Sequence, residues 1–115
     1  MASDDRPKLI VTTGNDVHGH EIEEYLGIVR GIVVRSPSIT QGFRGAFKSI
    51  VGGNNAAFEE VCEAARMDAF KRMARQAKEV GADAIIGMRY DATEFQQGTT
   101  EVLAYGTAVT LRHGT

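Results

Sequence analysis

The sequence predicts an α+β domain, a two-layer sandwich in which a mainly antiparallel sheet packs on one long helix plus a short helix. The main observation is residues 50–87, where a glycine pair, an asparagine cap, a long amphipathic segment, a glycine stop and an apolar strand follow without a gap. Apolar runs typical of strands lie on both sides of this segment. The element order ββααββ predicts a single domain over residues 9–115, preceded by a disordered tail at residues 1–8.

Composition narrows the class of protein. Of the 115 residues 43% are hydrophobic and 24% are charged, which is ordinary for a globular domain. A net charge of −2 argues against a nucleic-acid or anionic-membrane partner. No apolar run approaches the roughly 20 residues of a transmembrane helix. The one cysteine, Cys62, excludes an intramolecular disulfide, and without a signal-peptide pattern it favours a cytoplasmic protein.

The first half of the chain predicts two strands and a short helix. Residues 9–12 form a short β-branched run that ends in a turn composition. The polar residues 17–23 are predicted to be the return of a loop or hairpin, and residues 25–34 the second strand. Pro37 ends that strand because proline cannot donate to a ladder. Residues 42–51 carry large apolar side chains at helical spacing and predict the short helix.

The second half predicts the long helix and two further strands. Asn54 or Asn55 is a good N-cap, since its side-chain oxygen can accept a hydrogen bond from a free N–H of the first turn. Gly81 supplies the left-handed position that ends the helix, which is about 26 residues long. Apolar runs at residues 84–90 and 101–111 then predict the third and fourth strands, joined by a hairpin connection.

The predicted sheet and the predicted long helix both carry more apolar surface than packing one against the other would bury. One sheet face is predicted to be small-residue, with Tyr25, Gly27, Val29, Gly31, Val33, Val102, Ala104, Gly106 and Ala108, and the other is rich in large aliphatics. The long helix shows two apolar stripes, the first with Phe58, Val61, Cys62, Ala65, Ala69, Met73 and Val80, the second with Met67, Phe70, Ala74 and Ala77. Exposed apolar surface on this scale predicts a homo-oligomer. The alternative is that the short helix and the loops cover the second face.

Four segments together carry a resemblance to a known family. They read YLGIVRG, IVGGNNAAFEE, AARMDAFKRMARQAKEVGADAIIGMRYD and AYGTAV in this order. Over about residues 9–112 the chain resembles the YbjQ-like proteins, small bacterial and archaeal proteins of uncharacterised function. The resemblance implies a dodecin-like subunit and a ring, with a pentamer as the expected form. It also implies the label heavy-metal-binding, which has to be tested against the residues of this chain.

The residues offer one partial metal site. His18 and His20 are two apart, so on an extended segment both would point the same way, and Asp16 and Glu21 could add oxygen ligands. The alternative is a solvated loop that happens to contain this histidine pair. Cys62 lies on the first helical stripe, where it reads as a small core hydrophobe, against the alternative of a thiolate ligand.

A second candidate is the glycine turn before the long helix. Gly52, Gly53 and Asn54 lead into a helix N-terminus, where free N–H groups can hold a small anion, and Arg44 could add positive charge. No strand precedes this turn, however, and the lysine and hydroxyl residue of a P-loop are absent. The alternative is that the glycines only turn the chain and the asparagine only caps the helix.

No catalytic arrangement is visible in the sequence, so the protein is predicted not to be an enzyme. There is no nucleophile elbow, and a cysteine in a helix interior is not an activated nucleophile. Two functions remain. The first is a homo-oligomeric module, a pentameric ring, that holds a divalent metal ion or a small anion near its subunit junctions. The second is a structural or interaction scaffold ring with no ligand of its own.

Overall fold

The computed structural model of the protein describes residues 8–35, 56–96 and 98–113. The elements in this part of the chain are β1 (Ile10–Val11), β2 (Ile22–Arg35), α1 (Ala56–Glu79), β3 (Ala84–Gln96) and β4 (Thr99–Leu111). The strands form one sheet in the order β1-β3-β4-β2. β4 is antiparallel to both of its neighbours, whereas β1 is parallel to β3. The predicted α+β class is confirmed, with a mixed four-stranded sheet.

Some predictions lie outside the described residues. These are the short helix at residues 42–51, the cap at Asn54 or Asn55, and the tail, of which only Lys8 is described.

Within the described part the crossover that positions the rest of the molecule is clear. β2 and β3 lie on either side of β4 and run parallel to one another, and α1 lies between them in the chain. The helix therefore crosses β4 and packs on one face of the sheet.

β2, β3 and β4 are longer than predicted, whereas β1 is limited to Ile10–Val11. β2 begins at Ile22, where it pairs with Leu111, so the polar segment before Tyr25 is partly strand. β3 continues to Gln96 and β4 already begins at Thr99. The residues of this extension alternate little in polarity, because both faces of the hairpin end carry polar side chains. The alternation of apolar and polar residues that marks a strand therefore stops before β3 itself ends.

The end of α1 follows the predicted glycine stop. Gly81 has a φ of +84°, a conformation that costs other residues more than glycine. The Gly81 N–H donates to the Lys78 carbonyl at 3.1 Å, and the Ala82 N–H donates to the Ala77 carbonyl at 3.0 Å. This is the Schellman arrangement, which satisfies carbonyls that the last helical turn leaves free.

The core lies between α1 and the small-residue face of the sheet, as predicted. Its buried members are Val29, Val33, Ala69, Met73, Ala77, Ile85, Met88, Ala104 and Ala108. Alanine at these positions lets the helix come close to the strands. Closest of all is the approach at Gly31, where an added Cβ would collide with the Ala69 carbonyl oxygen and would lie 2.5 Å from the Met73 nitrogen. Glycine is required there by contact, since its φ is not in the left-handed region.

The two predicted helical stripes are wrong in detail. The buried line steps by four residues through Ala65, Ala69, Met73 and Ala77, so Ala77 belongs with the first stripe. Phe70, assigned to the second stripe, is partly buried and packs on the same core. The side chains left half-exposed are Met67 and Val80. The helix therefore has one broad buried stripe, and the second continuous stripe is not present.

A bulge in β2 changes which face its first residues occupy. The register shifts between Tyr25 and Gly27, where φ is +110°. Tyr25 pairs with Val109, on the face opposite α1, and is 68% exposed, whereas Leu26 packs on the helix-facing core. The prediction that Tyr25 shares the small-residue face is therefore wrong, because an extra residue breaks the alternation of side chains.

Two side chains from α1 form hydrogen bonds with backbone groups on the free edge of β2, the edge that does not pair with β4. The Gln76 Oε1 atom accepts a hydrogen bond from the Arg30 N–H at 2.7 Å. One turn earlier, Arg72 Nη1 donates to the Ile32 carbonyl at 3.0 Å. Both backbone groups point away from β4. Their hydrogen bonds with α1 therefore occupy the middle of an edge that could otherwise pair with another strand.

Candidate functional site

The face of the sheet opposite α1, called the outer face below, is covered at one end. Residues 12–21, the loop between β1 and β2, place Val17 against that end. The small cluster formed there contains Val17, Ala84, Ile86, Val109 and Leu111, with Ile22 partly buried beside it. The loop therefore covers this end of the sheet, as the alternative predicted in part, while the short helix of that alternative lies outside the described residues.

Elsewhere on the outer face the described residues leave an apolar patch exposed, called the open apolar patch below and made of Ile28, Ile32, Val34 and Leu103. Ile28 is 73% exposed and Val34 is 46% exposed, while Ile32 and Leu103 are half-buried. The register places Ile32 beside Leu103, so the patch runs across β2 and β4. Contiguous exposed aliphatic side chains are uncommon on monomeric proteins and commonly mark interaction surfaces.

A charged row crosses this face within the apolar patch. Arg30 pairs with Tyr105, and Tyr105 pairs with Arg89 on its other side. All three lie on the outer face, since their neighbours along each strand face α1. The Arg89 Nη1 atom donates at 2.8 Å to the carbonyls of Thr13 and Met88, which fixes the loop between β1 and β2 to the sheet. Both arginine side chains are exposed, and Tyr105 is half-buried.

The histidine pair lies in a turn. The His20 N–H donates to the Val17 carbonyl at 3.0 Å, and Gly19 between the histidines has a φ of +83°. This is the geometry of a type II turn, so the premise that His18 and His20 share one side of an extended segment is wrong. Both histidines are exposed. In the described part of the chain, no three His, Cys, Asp or Glu side chains come close enough together to hold a metal ion.

The same end of the sheet holds two polar pairs that the sequence did not predict. The His113 Nε2 atom lies 3.1 Å from the Asp83 Oδ2 atom, which also accepts the Leu111 N–H at 2.8 Å. Arg112 and Glu21 form an exposed ion pair at 3.3 Å. Only the strand register brings these groups together, and no local motif marks them. They tie the last residues of the described chain to the start of β3 and β2.

Tyr90 lies on the side of the sheet that faces α1, near Glu63 and Arg66. Burial raises the pKa of its phenol, the nearby Glu63 carboxylate raises it further, and Arg66 partly offsets both. The phenol is therefore neutral at physiological pH and can act as a hydrogen-bond donor.

Several predicted site residues are not placed. Gly52, Gly53, Asn54 and Arg44, the proposed anion turn, lie outside the described residues. Cys62 lies in α1, but its side chain is outside the described part. The predictions on these residues remain predictions.

The described residues define a class: a small α+β protein in which a helix covers one sheet face and a loop covers one end of the other. In the described part, no helix is both long and apolar enough to cross a membrane. The chain belongs to the YbjQ family, whose model, described as "Putative heavy-metal-binding", matches residues 9–112. The family predicted from the four sequence segments is therefore confirmed.

The relatives carry no assigned activity in their names. A UPF0145 protein of Legionella pneumophila strain Philadelphia 1 is 56% identical over 101 residues, covering 88% of this chain and 96% of the relative. A UPF0145 protein of Burkholderia thailandensis is 51% identical over 100 residues, covering 87% and 90%. A solved structure of a DUF74-family protein of unknown function from Pediococcus pentosaceus is similar at 16% identity, with a TM-score of 0.48 and coverage of 90% and 98%.

Proposed function

We propose that this protein is a homo-oligomeric module, a pentameric ring, that binds a metal ion or a small ligand and has no catalytic activity. The observation that carries the proposal is the open apolar patch, with Ile28 and Val34 as its most exposed members. Leaving a large aliphatic side chain in water forgoes about 1.5–3 kcal/mol of burial. A second copy that covers the patch recovers this free energy without any change in the fold.

The metal part of the proposal rests on His18 and His20 together with the description of the family. A closed zinc site needs about four ligands, and one copy offers two exposed imidazoles in this turn. Further copies in an assembly would supply the others. The family description belongs to the family as a whole, and the role of this histidine turn is our proposal for this chain.

A scaffold ring without a ligand is the second candidate. It is favoured by the absence, among the described residues, of any group of three or more side chains that could hold a metal ion. In that case the assembly alone is the function, and the exposed loops contact a partner. The two candidates share the same assembly surface and differ only in whether the protein takes up a ligand.

Replacing Ile28 by glutamate is expected to break the assembly, because a charge cannot be buried in an apolar interface without a partner. The measurement is molar mass by light scattering during size exclusion. The wild type should have about five times the monomer mass of 12.4 kDa, and Ile28→Glu should have a lower mass while keeping its circular dichroism. Val80→Glu, at a half-exposed position directly after α1, is the matched control. A wild type of 12.4 kDa would contradict the assembly, and an equal effect of Val80→Glu would contradict the surface.

Changing His18 and His20 together to alanine is expected to abolish zinc uptake, because imidazoles are the ligands proposed for the metal. Uptake is measured by calorimetry and by elemental analysis of the dialysed protein. His113→Ala is the control, since this histidine is already paired with Asp83. If the double variant takes up as much zinc as the wild type, the histidine turn is not the site. If neither protein takes up zinc, the scaffold candidate is favoured.

A further inference from the structure

The charged row on the outer face places one arginine on either side of one tyrosine, on three neighbouring strands. Arg30, Tyr105 and Arg89 are direct cross-strand partners on β2, β4 and β3. Neighbouring strands lie about 4.8 Å apart, so the two arginine Cα atoms are roughly 10 Å apart with the tyrosine between them. Because the Arg30 N–H bonds to Gln76, Arg30 and Tyr105 form the closer, non-hydrogen-bonded type of pair, in which side chains lie nearest.

The positive charges of this row have no described counter-charge. Among the described residues the ion pairs are Arg112 with Glu21 and His113 with Asp83. The carboxylate next to Arg89 on this face, Asp91, accepts a hydrogen bond from the Ala92 N–H at 2.9 Å. The carbonyls that Arg89 contacts hold one of its nitrogens in place but do not neutralise it. Two arginines of like charge thus lie on the same half-apolar surface.

We propose that this row binds an amphipathic anion, a ligand with a carboxylate or phosphate head and an apolar body. The planar forks of the two guanidinium groups match the oxygens of such a head, and their donors are charged. Ile28 and Ile32 lie on either side of Arg30 along the same face of β2, and Leu103 lies beside Ile32. These side chains belong to the open apolar patch, so the body of the ligand would lie between this surface and the second copy proposed to cover it.

The chemistry of the row excludes a broader polyanion. Two arginines separated by one tyrosine fit a single anionic group, whereas nucleic acid needs an extended basic stripe. The inference deepens the proposed function, because it names a ligand class for the small-ligand module. It uses neither the histidine turn nor any metal ion.

The test is calorimetric titration of the full chain with octanoate, which combines one carboxylate with an apolar chain. Octanoate is expected to bind saturably, with a dissociation constant of about 1 mM or lower. Acetate, the head alone, should bind at least about tenfold more weakly, and octylammonium should not bind, because its charge is repelled. Octyl phosphate, run in parallel, shows which of the two heads the row prefers. Nitrogen NMR should show the Nε–H signals of Arg30 and Arg89 shifting with octanoate.

The decisive variant is Arg30→Ala, because no described side chain depends on this guanidinium. It should weaken octanoate binding at least about tenfold through loss of charged hydrogen bonds. Arg89→Lys, which keeps a charge near the loop but loses the fork, should weaken it severalfold. Arg75→Ala, an exposed arginine of α1, is the matched control and should change binding less than about twofold.

Two outcomes would overturn the inference: no saturable octanoate binding, or equal weakening by Arg75→Ala. Light scattering on the same samples separates this result from the assembly. If the wild type is a monomer and still binds octanoate through Arg30, the proposed ring is wrong and the site stands. If the protein assembles and does not bind octanoate, the site is wrong and the ring stands.

Discussion

Replacing Gly31 by alanine is expected to destabilise the fold by about 3 kcal/mol or more, at the upper end of the cost of overpacking. The new Cβ would collide with the Ala69 carbonyl oxygen and would lie 2.5 Å from the Met73 nitrogen and 2.8 Å from the Arg72 Cβ. Two of these atoms are backbone, so no side-chain rotation removes the clash. The helix would have to move away from β2, and the contacts of Ala69 and Met73 would weaken with it.

Urea unfolding followed by circular dichroism measures this effect, with the denaturant slope checked for a change in cooperativity. Gly14→Ala is the matched control. Its added Cβ would have neighbours only at 3.5 Å or beyond, and its φ is not in the left-handed region. We expect the control to change the free energy of unfolding by less than about 1 kcal/mol. If both variants unfold at the same urea concentration as the wild type, the helix does not lie as close to β2 as described.

The small-residue face that α1 approaches was predicted from the sequence, because it follows from side-chain size and strand alternation, whereas the close contact at Gly31 was not predicted. Glycine or alanine at every second position predicted a face that a helix could approach, and Gly81 predicted the helix end. What the sequence did not predict depends on pairing between distant residues. The bulge at Gly27 moves Tyr25 to the outer face, and the hairpin extension to Gln96 is stabilised by its partners on β4.

The candidate site was likewise predicted only in part from the sequence. The exposed histidine turn was found from composition, but its geometry was wrong because Gly19 bends the segment. The row of Arg30, Tyr105 and Arg89 was missed altogether, since the register of three strands is needed to bring these residues together. Each arginine alone reads in the sequence as an ordinary solvated charge. Only the cross-strand pairing shows that they flank the same tyrosine.

Replacing Ile85 by alanine is expected to destabilise the protein by about 2–5 kcal/mol, the range for truncating a buried aliphatic side chain. Ile85 is fully buried, packs in the core under α1, and lies against Gly106, where an added Cβ would be 2.5 Å from its Cγ2 atom. Gly106 has no side chain with which to fill the space. The cavity would therefore persist, which places the cost toward the upper part of this range. Urea unfolding at a fixed protein concentration is the measurement.

Ile28→Ala is the matched control, because it removes the same atoms from a side chain that is 73% exposed. In an isolated subunit this change should alter stability by less than about 0.5 kcal/mol. If a second copy covers Ile28, its effect should instead depend on protein concentration, since assembly stabilises the folded state by mass action.

Thermal unfolding over a hundredfold range of concentration therefore separates the two surfaces. Ile85→Ala should lower the midpoint by a similar amount throughout, whereas Ile28→Ala should reduce its dependence on concentration. A wild-type midpoint that does not vary with concentration would contradict a reversible assembly through the open apolar patch.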